Sequence, residues 1–191
     1  MIHRLLRFAF LLTFTAATAL GQDADKPERP RMPTDAFPDD VFTLEGATKV
    51  LYKTTEKAAL HLHVYKPEGA APIAVGEGHR LVEEKTAPAD EKLPAVVCFH
   101  GSAWSFGSAE SYRIFCQYLA DRGIVAMSAE YRVFKRQRVT PLGCVEDAKS
   151  AIRFVRKHAD RLGVDPERIA ACGASAGGHI AACTALVDGF E

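Results

Sequence analysis

A serine hydroxyl attacks a carbonyl carbon only where the chain gives it room and a charge-stabilising neighbour. One serine of this sequence is set that way. Gly173-Ala174-Ser175-Ala176-Gly177 is a G-x-S-x-G. It lies where an apolar run, Ile169 to Cys172, gives way to a helical pattern beginning at Ala176. A serine on a sharp strand-to-helix turn holds its Oγ clear of the sheet. Small neighbours, with Gly173 and Gly177 at the two ends of the turn, let that strained turn form. The helix N-terminus beneath it offers free N–H groups and positive potential to a developing oxyanion. The chemistry predicted is acyl transfer through an acyl-serine on Ser175. No His/Cys/Asp cluster has metal-ligand spacing, so neither a metal nor an organic cofactor is expected.

The elements that must position this serine are legible as patterns. Residues 49–54 and 58–66 read as two strands. In the second, Leu60, Leu62 and Val64 alternate with His61, His63 and Tyr65, the period of a half-buried strand. Residues 68–92, rich in Glu, Ala, Gly and Pro, read as a surface insertion loop. Ala95-Val96-Val97-Cys98-Phe99 is a continuous apolar run. Residues 108–122 read as a helix with Tyr112, Phe115, Cys116 and Leu119 on one face and Gly123 as its stop. A buried strand follows at 124–129. A longer helix at 141–162 carries the stripe Val145, Ala148, Ile152, Val155 and Ala159. Asp165-Pro166 breaks the chain, Ile169 to Cys172 is a third buried strand, and 176–187 is helical. Strand and helix alternate, and the strands are apolar without alternation. That predicts an α/β fold, a mainly parallel sheet with helices on both faces.

A second motif, His100-Gly101-Ser102-Ala103-Trp104, directly follows the run ending at Phe99. Here the chain resembles the esterase/lipase branch of the α/β-hydrolase superfamily: hormone-sensitive-lipase-like esterases, bacterial feruloyl and acetyl-xylan esterases, and kynurenine formamidases. These carry H-G-G-x-W or H-G-G-G-[FW] at this place. Further matching pieces are Glu130-Tyr131-Arg132, Asp147-Ala148, Asp165-Pro166-Glu167-Arg168-Ile169 and the run from Gly173 to His179. The resemblance covers residue 49 to the end. It implies Ser175 as nucleophile and an oxyanion hole from the N–H groups of Ala176, Ser102 and Ala103. It implies His100, Gly101 and Trp104 as supports of that loop, and His100 as a prop, not the base. Ser102 and Ala103 depart from the family's second and third glycines. The fold's order is Ser, then Asp or Glu, then His. After Ser175 come only His179, Asp188 and Glu191, and His179 stands one turn along the same helix, beneath the turn and not beside Oγ. The expectation is therefore an N-terminal fragment whose C-terminal strands, acid and base are absent, so that the 191-residue chain alone is inactive. Asp147 and Glu130 are expected to stabilise loops through ionic contacts.

Composition sets the remaining bounds. Lys+Arg and Asp+Glu are 24 each, and no basic patch calls for nucleic acid. Residues 1–21 combine Arg4 and Arg7 with an apolar run and Ala19-Leu20-Gly21, the order of a secretory signal peptide. Removing them leaves no stable membrane span and a net charge of −2, from 22 basic and 24 acidic residues. Residues 22–40, with Pro27, Pro30, Pro33 and Pro38 among charges, read as a disordered linker, and 41–191 as the N-terminal part of the hydrolase domain. The odd set Cys98, Cys116, Cys144, Cys172 and Cys183 fits no framework spacing and reads mostly as small buried hydrophobes. The expected protein is a secreted or periplasmic carboxylic-ester hydrolase acting on a small-molecule or carbohydrate-linked acyl ester. The alternatives are a serine peptidase of the prolyl-oligopeptidase type and a non-catalytic exported binding protein on a decayed hydrolase scaffold.

Overall fold

A computed structural model describes residues 44–82 and 92–189. The signal peptide and linker readings, and residues 83–91 of the insertion, lie outside the described residues. Five strands form one sheet: β1 (Thr48–Thr54), β2 (Ala59–Tyr65), β3 (Leu93–Phe99), β4 (Val125–Ala129) and β5 (Val164–Gly173). Their order is β1-β2-β4-β3-β5. β1 and β2 form an antiparallel hairpin, and β2 runs antiparallel to β4. β3 lies parallel to both β4 and β5, so the three parallel strands end on one side of the sheet.

The helices cover both faces. One face packs under α3 (Pro141–Lys157), the short α4 (Ala159–Leu162) and α5 (Ala176–Leu186). Their Val145, Ala148, Ile152, Val155, Leu162 and Ile180 meet Val50, Leu62, Val64, Val97, Phe99 and Met127 of the strands. The other face packs under a 3-10 turn at Ala109–Tyr112 and α1 (Arg113–Ala120), whose Ala109, Cys116 and Ala120 meet Tyr65, Cys98 and Ala126. The central β4 is buried at all five positions. Its one polar side chain, Ser128, donates to the Ala109 carbonyl at 2.7 Å, which removes the cost of burying the hydroxyl.

Several expectations are corrected by tertiary contacts. β2 alternates as predicted, yet both faces are buried, including His61 and His63; Glu130, which follows β4, meets one ring nitrogen of each, His61 Nδ1 and His63 Nε2, while His63 Nδ1 is buried without a partner among the described residues. The helix expected at 108–122 starts as a 3-10 turn, and Phe115 is exposed while Cys116 and Ala120 are buried. The helix expected at 141–162 is interrupted at His158 (φ −109°, ψ 22°). Asp165-Pro166 does not end pairing. Leu93 pairs with Val164 and Ala95 with Ile169, so the intervening residues bulge from β5. Asp165 holds that bulge by accepting from the Glu167 N–H and Arg168 Nε. Ile169 to Cys172 is only partly buried, because β5 has β3 as its single partner among the described residues. Within the insertion, Ile73 is a core residue, and a short α2 (Phe134–Gln137) follows β4.

Candidate active site

β5 ends at Gly173 and α5 begins at Ala176, so Ser175 sits on the turn between them. Its backbone is at φ 54°, ψ −121°, a conformation that costs an L-residue of order 1–3 kcal/mol and survives only where the surroundings enforce it. The enforcement is a close packing of backbones. A Cβ on Gly177 would stand 2.0 Å from the Phe99 carbonyl oxygen, and one on Gly173 would stand 2.3 Å from the Gly177 carbonyl carbon. No side chain fits at either place, so the turn is pressed against the end of β3. Gly177 N–H donates to the Ala174 carbonyl at 2.9 Å. Ser175 itself is exposed, and its Oγ has no hydrogen-bond partner among the described residues.

The loop after β3 lies beside this turn. A Cβ on Gly101 would be 3.0 Å from the Ala174 oxygen and 3.6 Å from the Ser175 Cβ. Ser102, Ala103 and Trp104 then all have positive φ, at 86°, 50° and 57°. Three successive L-residues thus hold a conformation that each adopts only where its surroundings enforce it. The N–H groups of Ser102, Ala103 and Ala176 have no acceptor among the described residues. The loop is closed by Ser105 N–H to the Ser102 carbonyl at 3.0 Å. It is tied to α2 by Phe134 N–H to the Trp104 carbonyl and Lys135 N–H to the Ser105 carbonyl, both at 2.9 Å.

His100 is 1% exposed and stacks on the Tyr131 ring at 4.2 Å between centroids. Its Nδ1 lies 2.9 Å from the Gly101 carbonyl oxygen, so the Nδ1–H tautomer donates there. The Tyr131 hydroxyl donates to the His100 carbonyl at 2.6 Å. Gly107 (φ +100°) closes over the ring, where a Cβ would meet Nδ1 at 2.6 Å. Burial drives the His100 pKa down to about 4, against the opposing hydrogen bond to Gly101; the ring is neutral near pH 7 and fixed in place. Trp104 packs on the core and meets the His179 ring edge-on at 5.3 Å. His179, in the first turn of α5, is exposed, and its Nε2 lies 3.7 Å from Cys183 Sγ on its own helix.

Two ion clusters brace the segment after β4. Glu130 bridges His61 Nδ1 (3.0 Å) and His63 Nε2 (2.9 Å) and accepts the His61 backbone N–H. Burial pushes its pKa up, but the hydrogen bonds from His61 and His63 outweigh this and bring it down to about 2. Asp147 is wholly buried. It accepts from Arg132 Nε and NH2 at 2.8 Å, from the Arg132 N–H at 3.0 Å, and from Lys53 at 2.7 Å. Sequence reasoning had no role for Tyr131 or Gly107, although Glu130-Tyr131-Arg132 was among the matching pieces; the clamp on His100 depends on two loops meeting.

Comparison with known proteins finds esterases. The BD-FAE family profile matches residues 84–191. A probable isoprenylcysteine alpha-carbonyl methylesterase of Oryza sativa subsp. japonica is 33% identical over 129 residues, 66% of this chain and 30% of its own length. Carboxylesterase NlhH of Mycobacterium tuberculosis is 35% identical over 96 residues, 50% of this chain and 30% of its own. Among solved structures, Thermogutta terrifontis esterase 2 in its apo form superposes with a TM-score of 0.66 at 44% identity, over 77% of this chain and 48% of that one. It is also solved phosphonylated by cyclosarin. The chain thus spans under half the length of these relatives. With a mixed sheet of matching architecture and a profile match over more than half its residues, the chain belongs to the BD-FAE family of α/β-hydrolase esterases.

Proposed function

We propose that the protein is an exported serine carboxylic-ester hydrolase of small acyl esters with Ser175 as its nucleophile. The observation that carries the reading is the exposed, left-handed Ser175 at the head of α5 with the Gly101 backbone against it. Oγ adds to the ester carbonyl carbon, and the carbonyl oxygen becomes an oxyanion. The N–H groups of Ala176, Ser102 and Ala103 are the donors that receive it. Collapse expels the alcohol and leaves an acyl-serine, which water hydrolyses to the acid and free serine. His100 is neutral and occupied by the Gly101 carbonyl, so it holds the loop and takes no proton from Oγ. The reading places base and acid after residue 191, in the part of the relatives' length that this chain does not span. Export rests on residues 1–21, and mature material is expected to begin at Gln22 by intact mass; Met1 retained in a membrane fraction would refute it.

The test uses the protein encoded by the whole reading frame. Ser175→Ala should lower turnover of a short-chain acyl ester by ~10⁴-fold or more, because nucleophile and base act as a unit. A serine-directed phosphonate should label Ser175 and no other residue. Near-normal turnover in the variant, or labelling elsewhere, overturns the assignment.

A further inference from the structure

Three cysteines that are far apart in sequence meet beneath the site. Cys98 on β3 and Cys172 on β5 are register partners on adjacent parallel strands, and their Sγ atoms are 3.2 Å apart. Cys116 of α1 lies over them, 3.9 Å from the Cys98 sulfur. All three are free thiols. Two neighbouring parallel strands place register partners about 4.8 Å apart at Cα, inside the ~4.4–6.8 Å window that a disulfide spans. Closing the pair therefore needs the two sulfurs to approach by about 1 Å, to a bond of ~2.0 Å, without moving either strand from the sheet.

Position gives the pair its interest. Cys98 stands two residues before His100, and Cys172 three before Ser175. The two strands that carry the Gly101 loop and the Ser175 turn would be joined by one covalent bond directly under both. Among the described residues access is one-sided: Cys98 and Cys116 are buried, whereas Cys172 is half-buried.

We propose that Cys98 and Cys172 are a redox-active dithiol whose oxidant is a low-molecular-weight disulfide such as oxidised glutathione. The Cys172 thiolate attacks one sulfur of the oxidant, giving a mixed disulfide and releasing one small thiol. Cys98 then attacks the Cys172 sulfur and expels the second small thiol. Two protein thiols are oxidised, one small disulfide is reduced to two small thiols, and the Cys98–Cys172 bond remains. The hydrogen bond between the two sulfurs, then burial, raises the Cys172 pKa. The exchange is therefore slow near neutrality and accelerates with the thiolate fraction, ~10-fold per pH unit. The pairing stands on geometry and is independent of the reading of Ser175.

The test treats the natively folded chain with oxidised glutathione at pH 8, quenches in acid, alkylates under denaturing conditions and maps the peptides. Five alkylatable thiols should fall to three, with the peptides of Cys98 and Cys172 linked. The same treatment in guanidinium chloride should lose that preference. Cys116→Ala should still form the link, whereas Cys98→Ala should trap the mixed disulfide on Cys172. A link of Cys116 to either partner, links between chains only, or five thiols still alkylatable would each overturn the proposal. The wild-type map decides even if a variant fails to fold.

Discussion

At the residue scale, the site is held by backbone strain that glycine would relieve in some places and by contacts that only glycine allows in others. Gly173 and Gly177 are of the second kind, since any Cβ meets backbone of β3 or of the turn itself. Ser102 and Ala103 are of the first kind, as L-residues at φ 86° and 50°. The left-handed region costs an L-residue roughly 1–2 kcal/mol, against ~0.5–1 kcal/mol of extra backbone entropy for glycine. Ser102→Gly and Ala103→Gly should therefore each stabilise the fold by about 0.5–1 kcal/mol, read as a higher urea midpoint at unchanged slope. A loss of stability in both would mean that their side chains make contacts that outweigh the strain. His100 adds a pH dependence. Its folded pKa near 4 lies below its ordinary 6.5, so between those values the unfolded chain binds a proton that the folded chain refuses. Stability is then full above pH 6.5 and falls as pH drops toward 4, by up to ~3 kcal/mol at 1.36 kcal/mol per unit. Glu130, held near 2, adds a second loss only below its ordinary value near 4.5. Denaturation at pH 7 and pH 4.5 should separate the two, and His100→Asn should flatten the upper window. An unchanged slope in that variant assigns the loss to another group.

At the element scale, the segment after β4 is the hub. Tyr131 clamps the His100 loop, Glu130 reaches across to β2, and Arg132 meets α3 through Asp147. Lys53 joins the same carboxylate from β1. One buried anion thus ties the outer hairpin, the post-β4 loop and the long helix. Its charge is offset by two cations and a backbone N–H, so removing it takes the carboxylate from Lys53 and leaves Arg132 only its long contact to Glu146. Asp147→Ala should cost about 3–5 kcal/mol, measured by urea unfolding. A cost below ~1 kcal/mol would mean that water or Glu146, 3.5 Å from Arg132, takes over the role.

At the scale of the whole molecule, the sheet is asymmetric. Its β1 edge is covered on one face by α3 packing and continues into the hairpin, whereas β5 is, among the described residues, an edge strand carrying the nucleophile turn. Ile169, Ala171 and Cys172 are only partly buried there, and Leu186 at the end of α5 is exposed. An apolar edge with unpaired N–H and C=O groups templates association. The 191-residue chain should bind a hydrophobic dye, elute larger than a monomer and show no measurable hydrolysis of a short-chain ester. A dye-negative, monomeric and active chain would show that a base for Ser175 exists within these residues, and His179 would be the first to mutate.

Sequence by itself determined what local chemistry dictates. The apolar runs became β3, β4 and β5, the 3.6-residue stripe became the buried side of α3, and the glycines around Ser175 marked a turn that tolerates no side chain. Each of these is a property of neighbours along the chain, readable as period or residue type. Tertiary structure decided the rest. It buried both faces of β2 because Glu130, 69 residues from His61, takes one ring nitrogen each of two histidines that would otherwise turn to water. It kept pairing through Asp165-Pro166 because a bulge absorbs the residues that β3 cannot match. It set Ser102 and Ala103 in glycine conformations because His100, Tyr131 and α2 fix both ends of their loop. It gathered Cys98, Cys116 and Cys172, which no spacing connects, because parallel pairing and helix packing bring distant positions to one point. Such contacts form where separate elements meet, and the geometry of that meeting is set by packing the whole core at once.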